Sequence, residues 1–322
     1  MINGVQVRNI AEKILRLEPN EVVRVRLLRD VLHLAPSSPE LREAVLKLSG
    51  HAWVRQLEQE QHPDGSWGRF HSMDSSKTAL FRTSETAIRR ALSLGLEKDH
   101  PILARASRYM RWVLEGKAKW SDRVEKSEGW PICVEAITAA TLAEVDPAHP
   151  TCRPAWDYWV EVVGLSFQAG KYDPEAERQA HKDHNGRGTR YLGSRYVLTL
   201  LGRRSDELPA AIETRLLDWV WDNPEGIGYL GVALCHPDRF HIFNWLESLE
   251  ILSWFPSWRA HMKDAVAWLW ERRNADGLWD FGARVSKCSY FPLSDDWRKN
   301  GNRSIDHSTR ILSLLSKYDP GI

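Results

Sequence analysis

Cysteine is scarce in this chain, and the four present (Cys133, Cys152, Cys235, Cys288) stand far apart with no Cys-x-x-Cys. That spacing excludes a disulfide framework and a zinc knuckle. Surplus charge of either sign is also missing. With 44 basic against 43 acidic residues the formal charge is +1, and nothing asks for nucleic acid or another polyanion as partner. No run of 18 apolar residues occurs, so no transmembrane helix is expected. Residues 1–20 carry charges throughout and contain no apolar signal core, which makes a soluble, cytoplasmic protein the expectation. No stretch alternates apolar and polar residues long enough to argue for a sheet. Gly-x-Ser-x-Gly, His-Glu-x-x-His and a strand followed by Gly-x-Gly-x-x-Gly are absent too. Gly164 to Lys171 imitates a phosphate loop, but with five intervening residues and Tyr172 where Ser or Thr belongs. Asp295-Asp296 continues as Trp297-Arg298-Lys299 and is therefore no Asp-Asp-x-x-Asp metal box.

What the chain has in excess is tryptophan, 16 in 322 residues. Two of them sit in the same phrase. Trp53, Val54 and Leu57 lead into Gln61-His62-Pro63-Asp64-Gly65-Ser66-Trp67, and Trp268, Leu269 and Trp270 lead into Arg273-Asn274-Ala275-Asp276-Gly277-Leu278-Trp279. The two glycines lie 212 residues apart, four steps of 53, and such a period signals a repeat architecture. In this phrase the glycine ends a helix in a conformation that a Cβ would strain. The glutamine satisfies backbone groups left open at the helix end, and the indole buries a large flat surface against the next hairpin. Trp67 and Trp279 are accordingly read as staples between repeats and not as site residues.

The intervening copies are worn but present, at Gly129-Trp130 and at Gly226-Ile227-Gly228-Tyr229. Amphipathic periodicity and start signals predict helices over 5–17, 22–34 and 39–48. Beyond them five helix pairs follow: 51–61 with 82–96, 100–115 with 131–145, 152–168 with 190–202, 207–222 with 239–255, and 258–274 with 304–317. The expected fold is therefore all-α: a single domain over 1–322, an (α/α)6 toroid of helical hairpins in which residues 1–50 close the ring and 51–318 supply five pairs. An open solenoid of the same hairpins is the structural alternative.

The phrase Gln-x(3–5)-Gly-x-Trp after an aromatic-aliphatic pair resembles the QW repeat of squalene and oxidosqualene cyclases. The helix-pair period resembles that of protein prenyltransferase β subunits. The resemblance, over roughly residues 50–318, implies a barrel with an aromatic-lined central cavity for isoprenoids. Arg273 departs from the pattern by replacing the glutamine. The Asp-x-Asp-Asp acid of the cyclases is missing, with Ser304-Ile305-Asp306-His307 its nearest phrase. The zinc site of the prenyltransferases is matched only loosely. His307 opens the last inner helix and Asp238 could match the aspartate, but Phe240 stands where the cysteine belongs.

In such a ring the functional groups gather where the inner helices begin, because free N–H groups and helix dipoles meet there. Those starts supply the candidates. Asp306, His307, Glu85, Glu135 and His241 are the acid–base candidates, since burial of a carboxyl raises its pKa and makes it a proton donor. Arg187, Arg190, Arg195, Arg239 and Arg310 could clamp a diphosphate or carboxylate, with Tyr191, Asn244 and Trp130 completing a substrate-binding set. His181, His184 and residues 183–188 read as a loop bordering it. No cofactor is expected; zinc on Asp238, His241, His307 and Cys235, or magnesium, is the alternative. The expected function is terpenoid cyclase or prenyltransferase-like action on an isoprenoid or other apolar substrate. Binding of an apolar ligand or peptide without chemistry is the alternative. The anticipated partner is thus a small apolar ligand.

Overall fold

The computed structural model describes residues 4–72, 80–124, 126, 129–185, 190–235, 241–283 and 291–318. Among them every regular element is a helix, and parallel pairing is limited to isolated bridges such as Arg69 with Thr83. In chain order these are α1 (Gly4–Leu15), α2 (Glu21–Arg26) running into a π-helical turn Leu27–Val31, α3 (Pro39–Ser49), α4 (Ala52–Glu60), α5 (Ser84–Ser93), α6 (Pro101–Leu114) and α7 (Trp130–Val145). They continue as α8 (Arg153–Ser166), α9 (Pro174–Asn185), α10 (Arg195–Gly202), α11 (Ala210–Asp222), α12 (Ile242–Leu252), α13 (Trp258–Glu271) and α14 (Asn300–Tyr318). All the expected helices form. The addition is α9, in the connection taken to be a loop, and His181 lies fully buried within it. No helix among the described residues is long and apolar enough to cross a membrane.

Burial separates two kinds of helix. In α6 one stripe is buried (Ile102, Leu103, Ala106, Tyr109, Met110) and the other face meets water, the pattern of an outer helix. In α10 every residue from Arg195 to Gly202 is buried, and in α12 only Glu250 escapes. Helices covered on all sides belong to an inner layer. Successive inner helices touch: α5 packs on α7, α7 on α10, α10 on α12 and α12 on α14. The C-terminal α14 packs in turn on α1, α2 and the π-helical turn, and Ser316 Oγ donates to the Asp30 carbonyl at 2.9 Å. Arg26 and Arg29 donate to the Ser93 carbonyl at the end of α5 and to the Gly95 carbonyl just beyond it.

The Gly-x-Trp phrases do the same work at both ends of the chain. Trp67 Nε1 donates to the Leu57 carbonyl at 2.9 Å, and its backbone N–H donates to Ser84 Oγ at 2.9 Å. Trp279 Nε1 donates to Leu269 O at 2.6 Å, and its N–H to Ser308 Oγ at 2.9 Å. Each indole therefore ties the end of an outer helix to an inner helix of the same pair. Gly65 (φ +97°) lies so close to α6 that an added Cβ would sit 2.3 Å from the Arg105 carbonyl oxygen. Gln61 acts between repeats: its amide donates to Gly65 O and Ile102 O at 3.0 Å each, and its oxygen accepts from Arg105 Nε at 2.8 Å. In the second phrase Arg273 lays its guanidinium 3.7 Å over Trp270, and Lys13 from α1 reaches the Asp276 carbonyl at 2.6 Å.

Candidate functional site

The connection leaving Trp67 is fixed by Asp122, whose carboxylate accepts from the backbone N–H groups of Phe70 (2.6 Å), His71 (3.0 Å) and Ser72. On its other side the Ser84 and Glu85 N–H groups donate to Arg69 O and Phe70 O at 2.8 and 3.0 Å, while Thr83 caps α5. The two constraints set His71 beside the first turn of α5. His71 Nδ1 lies 2.7 Å from Glu85 Oε2, and the Tyr196 hydroxyl, from the first turn of α10, donates to Glu85 Oε1 at 2.8 Å. Among the described residues nothing hydrogen-bonds His71 Nε2.

Charge follows from this geometry. Burial opposes a charge on His71, but the hydrogen bond to Glu85 and its charge outweigh that penalty, so the imidazole titrates above its usual value. Burial likewise opposes ionisation of Glu85; the His71 hydrogen bond and the nearby Arg195 overcome it and bring the carboxyl down to about 2. The expectation that burial turns Glu85 into a proton donor is therefore reversed. Glu85 is the fixed anion, and its charge favours the protonated form of His71. Aromatic edges surround it: Tyr196 at 5.8 Å and Tyr229 at 6.4 Å between centroids, with Tyr191 6.1 Å from Tyr229. Burial and the Tyr229 hydroxyl push the Tyr191 phenol well up, and it stays protonated.

Deeper between the inner helices lies a network of charge. Arg195 Nη1 is 2.7 Å from a Glu247 carboxylate oxygen that Arg89 also contacts, and Glu144 lies 3.9 Å from Arg195 Nη2. Four helices, α5, α7, α10 and α12, thus share buried ion pairs where the resemblance implies an apolar lining. Arg195, expected to hold a diphosphate, is held by Glu247 instead. Asn244 donates to Leu230 O at 2.8 Å, leaving its buried Oδ1 without a partner among the described residues.

The remaining candidates fall elsewhere. Asp306 accepts the Leu293 N–H at 2.6 Å, Arg310 beside it donates to Phe291 O, and Arg90 donates to Pro292 O at 2.5 Å. These side chains grip the chain's own segment 291–293. His307 Nδ1 accepts the Phe281 N–H at 3.2 Å, and burial pushes its pKa down to about 3, so the ring is neutral. Glu135 is exposed and lines a shallow concavity of about 390 Å³ with Leu114, Glu115, Pro150, Thr151 and Pro154. Trp130 opens α7 and stacks on Trp120 at 5.6 Å, which is not the stapling role of Trp67. His241 precedes α12 half-buried, and Arg190 and Cys235 are exposed. Arg187, Arg239 and Asp238 lie outside the described residues. Among the described residues no three His, Cys, Asp or Glu side chains converge as a metal site would need.

His181, expected in a loop, instead joins Tyr158 to Glu177. Glu177 accepts the Tyr191 and Leu192 N–H groups at 2.5 and 2.8 Å and so places the approach to α10. Sequence reasoning missed His71, Tyr196 and Asp122. The available signal was position, since His71 lies four residues past a stapling tryptophan in the segment leading to an inner helix. Compared with protein-family models, curated proteins and solved structures, the chain matches none of them.

Proposed function

We propose that the helices form a closed ring of six hairpins whose mouth is an acid–base site for an isoprenoid or other apolar molecule bearing a polar end. The ring rests on the contact succession α5, α7, α10, α12, α14 and α2. It rests equally on the matched staples, because Lys13 meets the turn before Trp279 much as Arg105 meets the turn before Trp67. The observation that carries the chemistry is the Glu85–His71 pair, with Nε2 unpartnered among the described residues and beside aromatic edges. A carboxylate on Nδ1 fixes the imidazole's orientation and stabilises its charge, leaving Nε2–H as the proton to transfer. An imidazolium is too weak an acid to protonate an isolated alkene at useful rates. The chemistry supported is proton transfer at an oxygen or nitrogen of the substrate, with the tyrosine faces beside any developing positive charge. This differs from the opening step of the cyclases that the repeat resembles.

A second reading, ligand binding without turnover, is favoured by the engagement of Asp306, His307 and Arg310 in holding the chain's own backbone. The test is native mass spectrometry of the protein purified from its own host, followed by incubation of any released ligand with wild type and with His71→Gln. An apolar ligand that wild type converts and His71→Gln leaves unchanged supports the acid–base site. Conversion by both refutes His71 as the acid, and stable binding by both without conversion supports the second reading.

A further inference from the structure

Three inner helices end against one another. Arg203 caps α10, Ser253 caps α12, and Lys317 stands in the last turn of α14. The indole of Trp254 joins them: the Arg203 guanidinium lies 3.7 Å and the Lys317 ammonium 4.2 Å from its ring centre. Trp254 is itself held firmly. Its carbonyl accepts from Ser205 Oγ at 2.5 Å, and Gly202 comes so near that an added Cβ would stand 3.1 Å from the Trp254 Cβ. Elsewhere among the inner helices arginines meet carboxylates: Arg89 and Arg195 share Glu247, and Arg310 lies 3.5 Å from Asp306. Arg203 and Lys317 make no such ion pair among the described residues. Arg203 Nε is buried without an acceptor, and Lys317 Nζ donates to Ser253 Oγ at 3.1 Å. Glu250 of α12 acts on both charges but pairs with neither.

The negative ends of helices attract cations. A cation drawn there for that reason alone would aim its donors at the last carbonyls, and among the described residues neither side chain does. Burial pushes the Lys317 ammonium down to about 8, with Arg203 and Arg26 adding to the push and Glu250 and Asp30 opposing it. Burial lowers Arg203 too, against the charges of Glu144 and Glu250. The cluster is open at the surface, Trp254 being 38% exposed and Arg203, Glu250, Ser253 and Lys317 half-buried, so an ion reaches it without an enclosed cavity. We propose that Arg203 and Lys317 bind inorganic phosphate, with Glu250 accepting the hydrogen that the phosphate carries. The planar fork of Arg203 and the point charge of Lys317 take its unprotonated oxygens. The hydrogen sets the selectivity, because sulfate has none at neutral pH and would turn bare charge toward the Glu250 carboxylate. None of the arginines at the helix starts takes part, and the site does not rest on the acid–base reading above.

The experiment measures, by calorimetric titration at neutral pH and constant ionic strength, the binding of sodium phosphate, sodium sulfate and glycerol 3-phosphate. It compares wild type with Arg203→Met, Lys317→Met and Glu250→Gln, together with each melting temperature. Wild type is expected to bind phosphate about tenfold or more tightly than sulfate or the ester, which lacks the hydrogen. Arg203→Met and Lys317→Met each weaken phosphate binding about tenfold or more, and Glu250→Gln loses the preference over sulfate. Phosphate also gives the Lys317 ammonium a counter-charge. The Lys317 midpoint, followed by NMR in wild type, is therefore expected to rise above about 8 at saturation, and affinity to fall as pH climbs through that value. Wild type that binds phosphate no better than sulfate or glycerol 3-phosphate overturns the proposal. So does a Lys317 midpoint that phosphate leaves in place, a result that depends on no variant's folding. Full phosphate affinity in Arg203→Met and Lys317→Met overturns it as well.

Discussion

Replacing Glu85 by Gln removes one charge and leaves the shape of the site, so it isolates what the carboxylate does for His71. In wild type the Glu85 pKa falls from 4.5 to about 2, which corresponds to about 3 kcal/mol of stabilisation shared with its partners. The sign runs opposite ways on the two limbs. The depressed Glu85 pKa gives stability that is present above pH 4.5 and lost as pH falls toward 2. The raised His71 pKa gives stability that is present below its ordinary value of about 6.5 and lost as pH climbs through the folded value. Their joint contribution is therefore greatest between about pH 4.5 and 6.5. In Glu85→Gln the largest remaining influence on His71 is burial, which lowers its pKa, so the high-pH limb inverts and stability rises with pH through the histidine range. Denaturant unfolding of both proteins at intervals from pH 4 to 9 reads this directly. We expect a loss of about 3 kcal/mol at pH 6 and a slope of opposite sign between pH 6 and 8. A variant with the wild-type slope refutes the assignment of Glu85 as the group that holds His71 charged.

Other outcomes follow from the same geometry. His307 is neutral, with a pKa pushed down to about 3, so its unfolded form binds a proton that its folded form refuses. Stability is lost as pH falls from about 6.5 toward 3, and His307→Asn, which keeps an acceptor for the Phe281 N–H, is expected to flatten that loss in thermal melts. Trp279→Ala removes a fully buried indole and its bond to Leu269 O, and about 3–5 kcal/mol is expected to go in denaturant titration. Gly65→Ala drives a Cβ into the Arg105 carbonyl at a positive φ, and is expected to lower stability by more than about 1 kcal/mol, against a gain were the site unstrained. Arg89→Met removes one of the two arginines on Glu247 and leaves Arg195 to hold it, so the loss in denaturant titration is expected to fall below the roughly 3–5 kcal/mol that an uncompensated buried charge costs.

Much of this architecture is legible in the residues because helices are local. Apolar periodicity places α4 to α8 and α10 to α14 within a few residues. The two intact Gly-x-Trp phrases do form staples, though within a helix pair and not between repeats as expected, while Trp130 of the worn copy does not. Glu85 was legible for the same reason, as an acid in the first turn of an inner helix. His71 was not, because its pairing with Glu85 depends on a connection that Asp122 ties down from 50 residues further along the chain. Arg195 was hard to read for a related reason. A charge at a helix start looks available for ligand, but a helix covered on all sides must neutralise it internally, and Arg195 finds Glu247 on a neighbouring helix. The helix α9 escaped because its sequence is polar throughout; Glu177, His181 and Tyr158 dock it through hydrogen bonds instead of an apolar stripe.

The most direct measurement is nitrogen-15 NMR of the His71 imidazole across pH, with and without farnesol. The account predicts a titration midpoint above the ordinary value of about 6.5 and an Nε2 resonance that moves when the alcohol binds. A midpoint at or below the ordinary value, or an Nε2 signal indifferent to the ligand, would contradict it.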